Sequence, residues 1–202
     1  MPINKVFSEY NVGFDIPAMP GMKEIEIQTP CLVIDLDCFE YNLTKMASLI
    51  KPLNVTLRAH AKMHKSIDVA QHQLGMGKAI GICCQKISEA EVFARAGISD
   101  ILITNQICDP VKITRLAGLA AAGCRVTVCL DNLLNVKALS AAAVAAKTEL
   151  RCLVELECGA GRCGVSEPEQ ALSLALAVDN SEGLIFDGIQ AYQGKIQHEQ
   201  NY

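Results

Sequence analysis

Val55-Thr-Leu-Arg-Ala-His-Ala-Lys62, continuing as Met63-His-Lys-Ser66, alternates strictly over its first eight residues. Val55, Leu57, Ala59 and Ala61 fall on one face, and Thr56, Arg58, His60 and Lys62 fall on the other. A strand repeats every two residues, so Arg58, His60 and Lys62 are expected to project in a row from one side. Three such groups in line are costly unless that side meets water or a ligand. An amine crowded by cations and partly desolvated gives up its proton more readily. It can then attack a carbonyl and form a Schiff base. Taken alone, the segment fits an exposed edge strand with a polar face equally well.

The flanking sequence decides between these readings. From Val55 onward the spacing predicts strands over 55–62, 79–84, 100–104, 125–130, 150–155 and 184–190. Between them it predicts helices over 66–74, 88–96, 109–122 and 132–146, with another from 166. Ser88 with Glu91, and Ser166 with Glu169, read as capping boxes, while Asp109-Pro110 reads as a cap followed by a first-turn proline. Upstream, a strand over 31–35 and a helix over about 37–50, capped by Asp37 with Glu40, follow an irregular N-terminal extension, 1–28. Short apolar strands alternating with helices indicate parallel strands covered by helices. A repeat of about 25 residues suits a (β/α)8 barrel. In an open doubly wound sheet the face bearing Arg58, His60 and Lys62 would lie under helices, so the barrel is the expected α/β fold. It occupies 29–202 and is truncated after about six strands.

Composition narrows the function classes. The 202 residues are 50% hydrophobic and 20% charged, with a net charge of −4, and they carry no basic stripe with interleaved aromatics. These features argue for a globular chain and against nucleic-acid binding. No run of eighteen apolar residues occurs, and 1–21 lacks a basic patch followed by an apolar block. Neither a membrane span nor a signal peptide is expected. The ten cysteines are scattered, mostly within apolar runs, as expected for reduced buried thiols in a cytoplasmic protein. Cys158 and Cys163 lack a neighbouring His or Cys pair at zinc-like spacing.

Chemistry in such barrels gathers at the C-terminal ends of strands. Those positions hold His60 and Lys62; Gln85 and Lys86; Thr104, Asn105 and Gln106; Asp131 and Asn132; Glu155, Glu157 and Arg162; and Tyr192, Gln193 and His198. Gln106 reads as ordinary loop polarity, and Asp131 and Asn132 as helix caps. Strand parity favours Lys62 over Lys65 as the nucleophile, while His64 fits orienting a phosphate or a carboxylate and a plain place at the rim equally well. Glycines in Cys158-Gly-Ala-Gly-Arg-Cys-Gly164 and in Gln190-Ala-Tyr-Gln-Gly194 let backbone approach a ligand.

Four motifs in order resemble the D-threonine aldolase and 3-hydroxy-D-aspartate aldolase group. They are Arg58-Ala-His-Ala-Lys-Met-His-Lys-Ser66, Gly81-Ile-Cys-Cys-Gln-Lys-Ile-Ser-Glu-Ala-Glu91, Glu155-Leu-Glu-Cys-Gly-Ala-Gly-Arg-Cys-Gly-Val165 and Gly188-Ile-Gln-Ala-Tyr-Gln-Gly194. The resemblance runs from about residue 9 to the end. Asn11-Val-Gly-Phe-Asp-Ile-Pro-Ala-Met-Pro-Gly21, Glu26-Ile-Gln-Thr-Pro-Cys31 and Gln193 look closest to the 3-hydroxy-D-aspartate aldolases. The group has a barrel of the alanine racemase N-terminal type and uses pyridoxal phosphate.

The resemblance implies that Lys62 holds the cofactor as a Schiff base and that Arg162 faces its pyridine nitrogen. It also implies that His60, Gln85, Asn105 and Tyr192 line or border the cofactor pocket. The implied reaction is retro-aldol cleavage of a D-3-hydroxy amino acid, with 3-hydroxy-D-aspartate giving glycine and glyoxylate. A divalent metal, magnesium or manganese, is implied for the full-length family, and so is a homodimer. The metal ligands and the phosphate loop are expected in a C-terminal part that this chain lacks. D-serine dehydratases look more like Asp-Gly-His-Arg-Ser-Gly where this chain has Gly159-Ala-Gly-Arg-Cys-Gly164. A non-catalytic pyridoxal-phosphate carrier and an inactive fragment are the remaining alternatives.

Overall fold

Six parallel strands, each followed by a helix or turn, carry the pattern set by the sequence in the computed structural model, which describes residues 10–200. The first nine residues of the expected N-terminal extension, and residues 201–202 of the expected barrel, lie outside them. The chain divides into two compact units, the first ending at Asn42 and the second beginning at Leu43.

In the first unit, residues 31–35 form no strand among the described residues, and Leu32, Val33 and Ile34 are exposed. An extended segment needs a ladder partner to satisfy its backbone, and none of the described strands pairs with this one. Helix α1 (Leu36–Ile50) begins one residue before the expected start. Its cap is Asp35, which accepts the Cys38 N–H at 2.9 Å, in place of the expected Asp37–Glu40 pair.

The second unit contains strands β1 (Arg58–His60), β2 (Gly81–Cys84), β3 (Asp100–Ile103), β4 (Arg125–Leu130), β5 (Leu150–Leu156) and β6 (Leu184–Ala191). Helices α2 (Ile67–Gly75), α3 (Ile87–Arg95), α4 (Pro110–Ala121), α5 (Leu133–Ala145) and α6 (Pro168–Asp179) connect them in turn. Neighbours in the sheet follow chain order, β1 to β6, and every pair is parallel. A doubly wound sheet reverses direction at its midpoint. Uninterrupted order is instead what consecutive units of a (β/α)8 barrel give.

The caps follow local chemistry. Ser66 accepts the Val69 N–H, Asp109 the Lys112 N–H, and Asn132 the Leu134 N–H. The two expected capping boxes do not form. Helix α3 starts at Ile87, ahead of Ser88, and Glu91 pairs with Arg115. Helix α6 starts at Pro168, so Ser166 falls short of its first turn.

Alternation sorts the strand residues into two layers. Ile82, Ile101, Ile103, Val126, Val128, Leu130, Cys152 and Val154 pack outward with Phe93, Leu116, Leu139 and Val178 from the helices. Cys83, Leu102 and Cys129, joined by Leu153, form a small apolar layer on the inner face. Beneath it lies a chain of charges. Arg58 grips Asp100 through two bonds, of 2.7 and 3.2 Å. Arg125 reaches both Asp100 (3.5 Å) and Asp187 (3.3 Å), and Arg151 donates to Asp187 at 2.7 Å. Gly81 on β2 makes room for this chain, since a Cβ there would stand 2.5 Å from the Asp100 carbonyl oxygen. A bulge between Phe186 and Gly188 supplies Asp187 as an extra residue in β6.

The Arg151 guanidinium, then the nearby Arg125, holds the Asp187 carboxyl below the usual carboxylate range. Asp187→Asn is expected to lower unfolding stability by about 1–2 kcal/mol at neutral pH, a modest value because all three partners are partly exposed. A depressed carboxylate contributes stability that is present above its unfolded pKa and lost as pH falls through the folded one. Urea titrations should therefore show wild type and variant converging below about pH 4.

Candidate active site

Strand β1 ends two residues earlier than alternation predicts. Residues Ala61–Met63 form a 3-10 turn, and Lys62 lies on that turn. The turn is set by the His60 imidazole, whose Nδ1 accepts the Lys62 backbone N–H at 3.4 Å. Lys62 nonetheless reaches the space expected for it. A cavity of about 280 Å3 is lined by Lys62, His60, Gln85, Asn105, Arg162 and Tyr192, close to the ~300 Å3 lower end of small-molecule sites. All six sequence-predicted site residues thus meet in one place. Arg58 borders it from below but is committed to Asp100.

Lys62 and Lys65 separate clearly. Lys65 has φ +52° and extends to Glu89, with Nζ–Oε1 at 2.6 Å. Lys62 has no ion pair of this kind among the described residues. His64 lines no part of this cavity; its Nδ1 accepts the Ser66 N–H at 3.0 Å, and its ring meets Phe93 edge-on.

His60 carries a defined proton. Because Nδ1 accepts from Lys62, the proton belongs on Nε2, which lies 3.2 Å from Thr104 Oγ1. The Thr104 hydroxyl in turn donates to the Cys84 carbonyl at 3.3 Å, leaving its oxygen to accept from His60. Burial first, and the Lys62 charge second, pull the imidazole below its ordinary value. His60 is therefore a neutral neighbour of Lys62 at pH 7. Cys83 also lines the cavity, but burial pushes its thiol up to about 11, so it is no nucleophile at neutral pH.

Across the cavity, the glycine-rich turn is shaped by carboxylates. Glu157 accepts the backbone N–H groups of Gly159 at 2.5 Å and Arg162 at 2.8 Å. Amides of Gly161, Arg162 and Gly159 hold this carboxyl down at about 2. Gly164 has φ +100°, a Cβ there would lie 2.5 Å from the Leu156 carbonyl carbon, and its N–H donates to Asp131 at 2.9 Å. Asp131, expected to cap a helix, secures this turn instead, because Asn132 already caps α5. From the turn, the Arg162 guanidinium lies over the Tyr192 ring at 5.1 Å and 3.7 Å from buried Glu155. At the rim, Asn105 Nδ2 donates to the Gln85 carbonyl at 2.9 Å.

Sequence reasoning passed over three groups here. Thr104, named only as a strand end, fixes the His60 tautomer. Gln190 lines the cavity from β6. Gln106, set aside as loop polarity, donates to Glu155 at 2.7 Å. The available signal was parity: Leu153 and Glu155 share one face of β5, which points a carboxylate toward the loop bearing Gln106. Among the described residues, no group of three or more His, Cys, Asp or Glu side chains gathers to hold a metal ion. No described helix is long and apolar enough to cross a membrane.

A singly wound parallel sheet thus brings a lysine and an arginine to the lining of one cavity at its C-terminal mouth. The chain belongs to the alanine racemase N-terminal domain family, whose sequence pattern matches residues 34–201. Among individual relatives, it is 53% identical over 196 residues to a 3-hydroxy-D-aspartate aldolase of Paracoccus denitrificans (strain Pd 1222), covering 97% of this chain and 51% of that protein. It is 44% identical to a D-threonine aldolase of an Arthrobacter species, over 90% of this chain and 48% of that protein. The crystal structure of D-threonine aldolase from Filomicrobium marinum superposes with a TM-score of 0.87 at 44% identity, covering 90% of this chain and 48% of that one. The chain spans about half the length of the curated relatives it matches.

The hydrogen-bonding scheme around His60 is directly measurable. Imidazole NMR should show the Nε2–H tautomer and a titration below the ordinary value of about 6.5. Lys62→Met should move that titration upward by removing the nearby cation. Its depressed folded value means that His60 contributes stability present above about pH 6.5 and lost as pH falls through the folded value.

Proposed function

We propose that this chain supplies the cofactor-binding barrel segment, taken as residues 29–202, of a pyridoxal-phosphate-dependent aldolase. Its substrate is a D-3-hydroxy amino acid, 3-hydroxy-D-aspartate, cleaved between Cα and Cβ to glycine and glyoxylate. The observation that carries this reading is Lys62, without an acidic partner among the described residues, facing an arginine–tyrosine stack across a small cavity. The 53% identity to a 3-hydroxy-D-aspartate aldolase supports the substrate over D-threonine, for which the matched relative is 44% identical.

The donor set fits the aldehyde and ring of pyridoxal phosphate. Lys62 offers an amine for the aldehyde, and the Arg162 guanidinium, flanked by Glu155 and Tyr192, offers hydrogen bonds to the ring nitrogen. When bound, the cofactor supplies an electron sink for the pair left at Cα as the Cα–Cβ bond breaks. The chain's own residues prepare that chemistry. Neutral His60 spends its one N–H on Thr104, so it adds no positive charge beside Lys62. Gln85 and Asn105 are tied together at the rim, and Tyr192 closes the opposite wall. The proposal includes a divalent ion, magnesium or manganese, to lower the pKa of the substrate β-hydroxyl. Its ligands are assigned outside the described residues. It also includes a cytoplasmic homodimer for the whole protein, with which ten free thiols accord.

Borohydride reduction of the purified chain with pyridoxal phosphate, followed by peptide mapping, tests the site. A stoichiometric adduct on Lys62 that disappears in Lys62→Ala is expected. Modification of Lys65, or of scattered surface lysines, overturns the assignment. For the whole protein with magnesium or manganese, 3-hydroxy-D-aspartate should release glyoxylate and glycine. Oxaloacetate with ammonia would mean dehydration in place of aldol cleavage.

A further inference from the structure

We propose that Gln106 and Glu155 are positioning residues that hold the Arg162 guanidinium at the cavity wall; the use to which Arg162 is put rests on the function proposed above. Glu155 is 2% exposed and is the charged residue buried in the described core. A buried carboxylate persists only when its oxygens are engaged. Gln106 Nε2–H donates to Oε2 at 2.7 Å, and Oε1 is left facing Arg162 Nη2 at 3.7 Å. A carboxylate gripped on one oxygen cannot rotate freely, so the other oxygen has a set direction, toward the guanidinium.

Gln106 is itself held. It lies on the loop after β3, and buried Asn135 of α5 donates to the carbonyl of the next residue, Ile107, at 2.7 Å. Arg162 meets this chain from the other side. Its backbone is pinned by Glu157, and its guanidinium lies on Tyr192. The Arg162 side chain is still 47% exposed, so the Tyr192 ring and the Glu155 carboxylate are what hold its guanidinium back from solvent. The order of support runs from Asn135 through the Ile107 carbonyl, Gln106 and Glu155 to Arg162. Gln106 and Glu155 act on the site through Arg162.

Arginine labelling with phenylglyoxal, mapped by mass spectrometry on the full chain without cofactor, reads this support directly. In Gln106→Leu and in Glu155→Gln, labelling of Arg162 should accelerate about fivefold as its ion pair with Glu155 is loosened or lost. Labelling of Arg115, paired with Glu91, should not change. An unchanged Arg162 rate in both variants overturns the inference, as does a uniform rise at all arginines with a lowered melting temperature. Added pyridoxal phosphate should protect Arg162 in the wild type, and its absorption maximum should shift in Gln106→Leu. If labelling responds to the variants but the cofactor neither protects Arg162 nor marks Lys62, the positioning stands and the proposed function falls. If Lys62 is marked but the Arg162 rate ignores both variants, the positioning falls and the proposed function stands.

Discussion

Asp187 joins two arginines that lie on different strands, Arg125 of β4 and Arg151 of β5, while Asp100 joins Arg125 to Arg58 of β1. Parallel ladders have evenly spaced hydrogen bonds, and backbone pairing alone does little to choose one register over its neighbours. Here a one-residue slip would move an arginine to the helix side and leave a carboxylate without its partner. The charge chain thus fixes register across strands from β1 to β6. Gly81 is part of the same device, because any side chain there would displace Asp100. Once register is fixed, the apolar inner layer of Cys83, Leu102, Cys129 and Leu153 and the polar groups above it follow.

The cavity is built from that upper layer by distributing protons and charges unequally. His60 is neutral because it is half-buried and close to Lys62, and its single proton is committed to Thr104. Lys65, three residues beyond Lys62, is drawn to Glu89 on the outside. The positive charge opposite Lys62 comes from Arg162, placed by a turn whose amides converge on Glu157. A site of this kind keeps its amine beside a neutral group and its guanidinium beside a buried carboxylate. The membership in the alanine racemase N-terminal domain family and the likeness to D-threonine aldolase structure agree with this arrangement.

Most of the architecture was readable from period alone, because strands covered by helices are short and apolar and their connecting helices carry caps. β4 matches its expected range, and the helices differ from theirs by a residue or two. The failures have separate local causes that periodicity does not carry. Alternation continues through Lys62, but the His60 ring captures the Lys62 amide and turns the chain two residues early. Ser88 and Ser166 have the right spacing for capping boxes, yet the helices start elsewhere, at Ile87 and at Pro168. Strand ends and glycine turns are local signals that mark a wider set of positions, and the family resemblance chose the six site residues from among them. The roles of Asp187, Thr104 and Gln106 were not legible, since they depend on partners 36 to 62 residues away.

The bulge in β6 has a further effect that concerns counting. Asp187 and Tyr192 are five residues apart, an odd separation, and a regular strand would send them to opposite faces. One face would then have to give up either its carboxylate at the base or its aromatic ring at the mouth. The inserted residue resets the alternation, with Phe186 opposite Cys152 and Gly188 opposite Leu153, so that both side chains turn inward. Straightening the bulge while keeping all its residues would leave the composition of the strand unchanged, yet it would force the sheet to choose between the anchor of its register and one wall of its cavity.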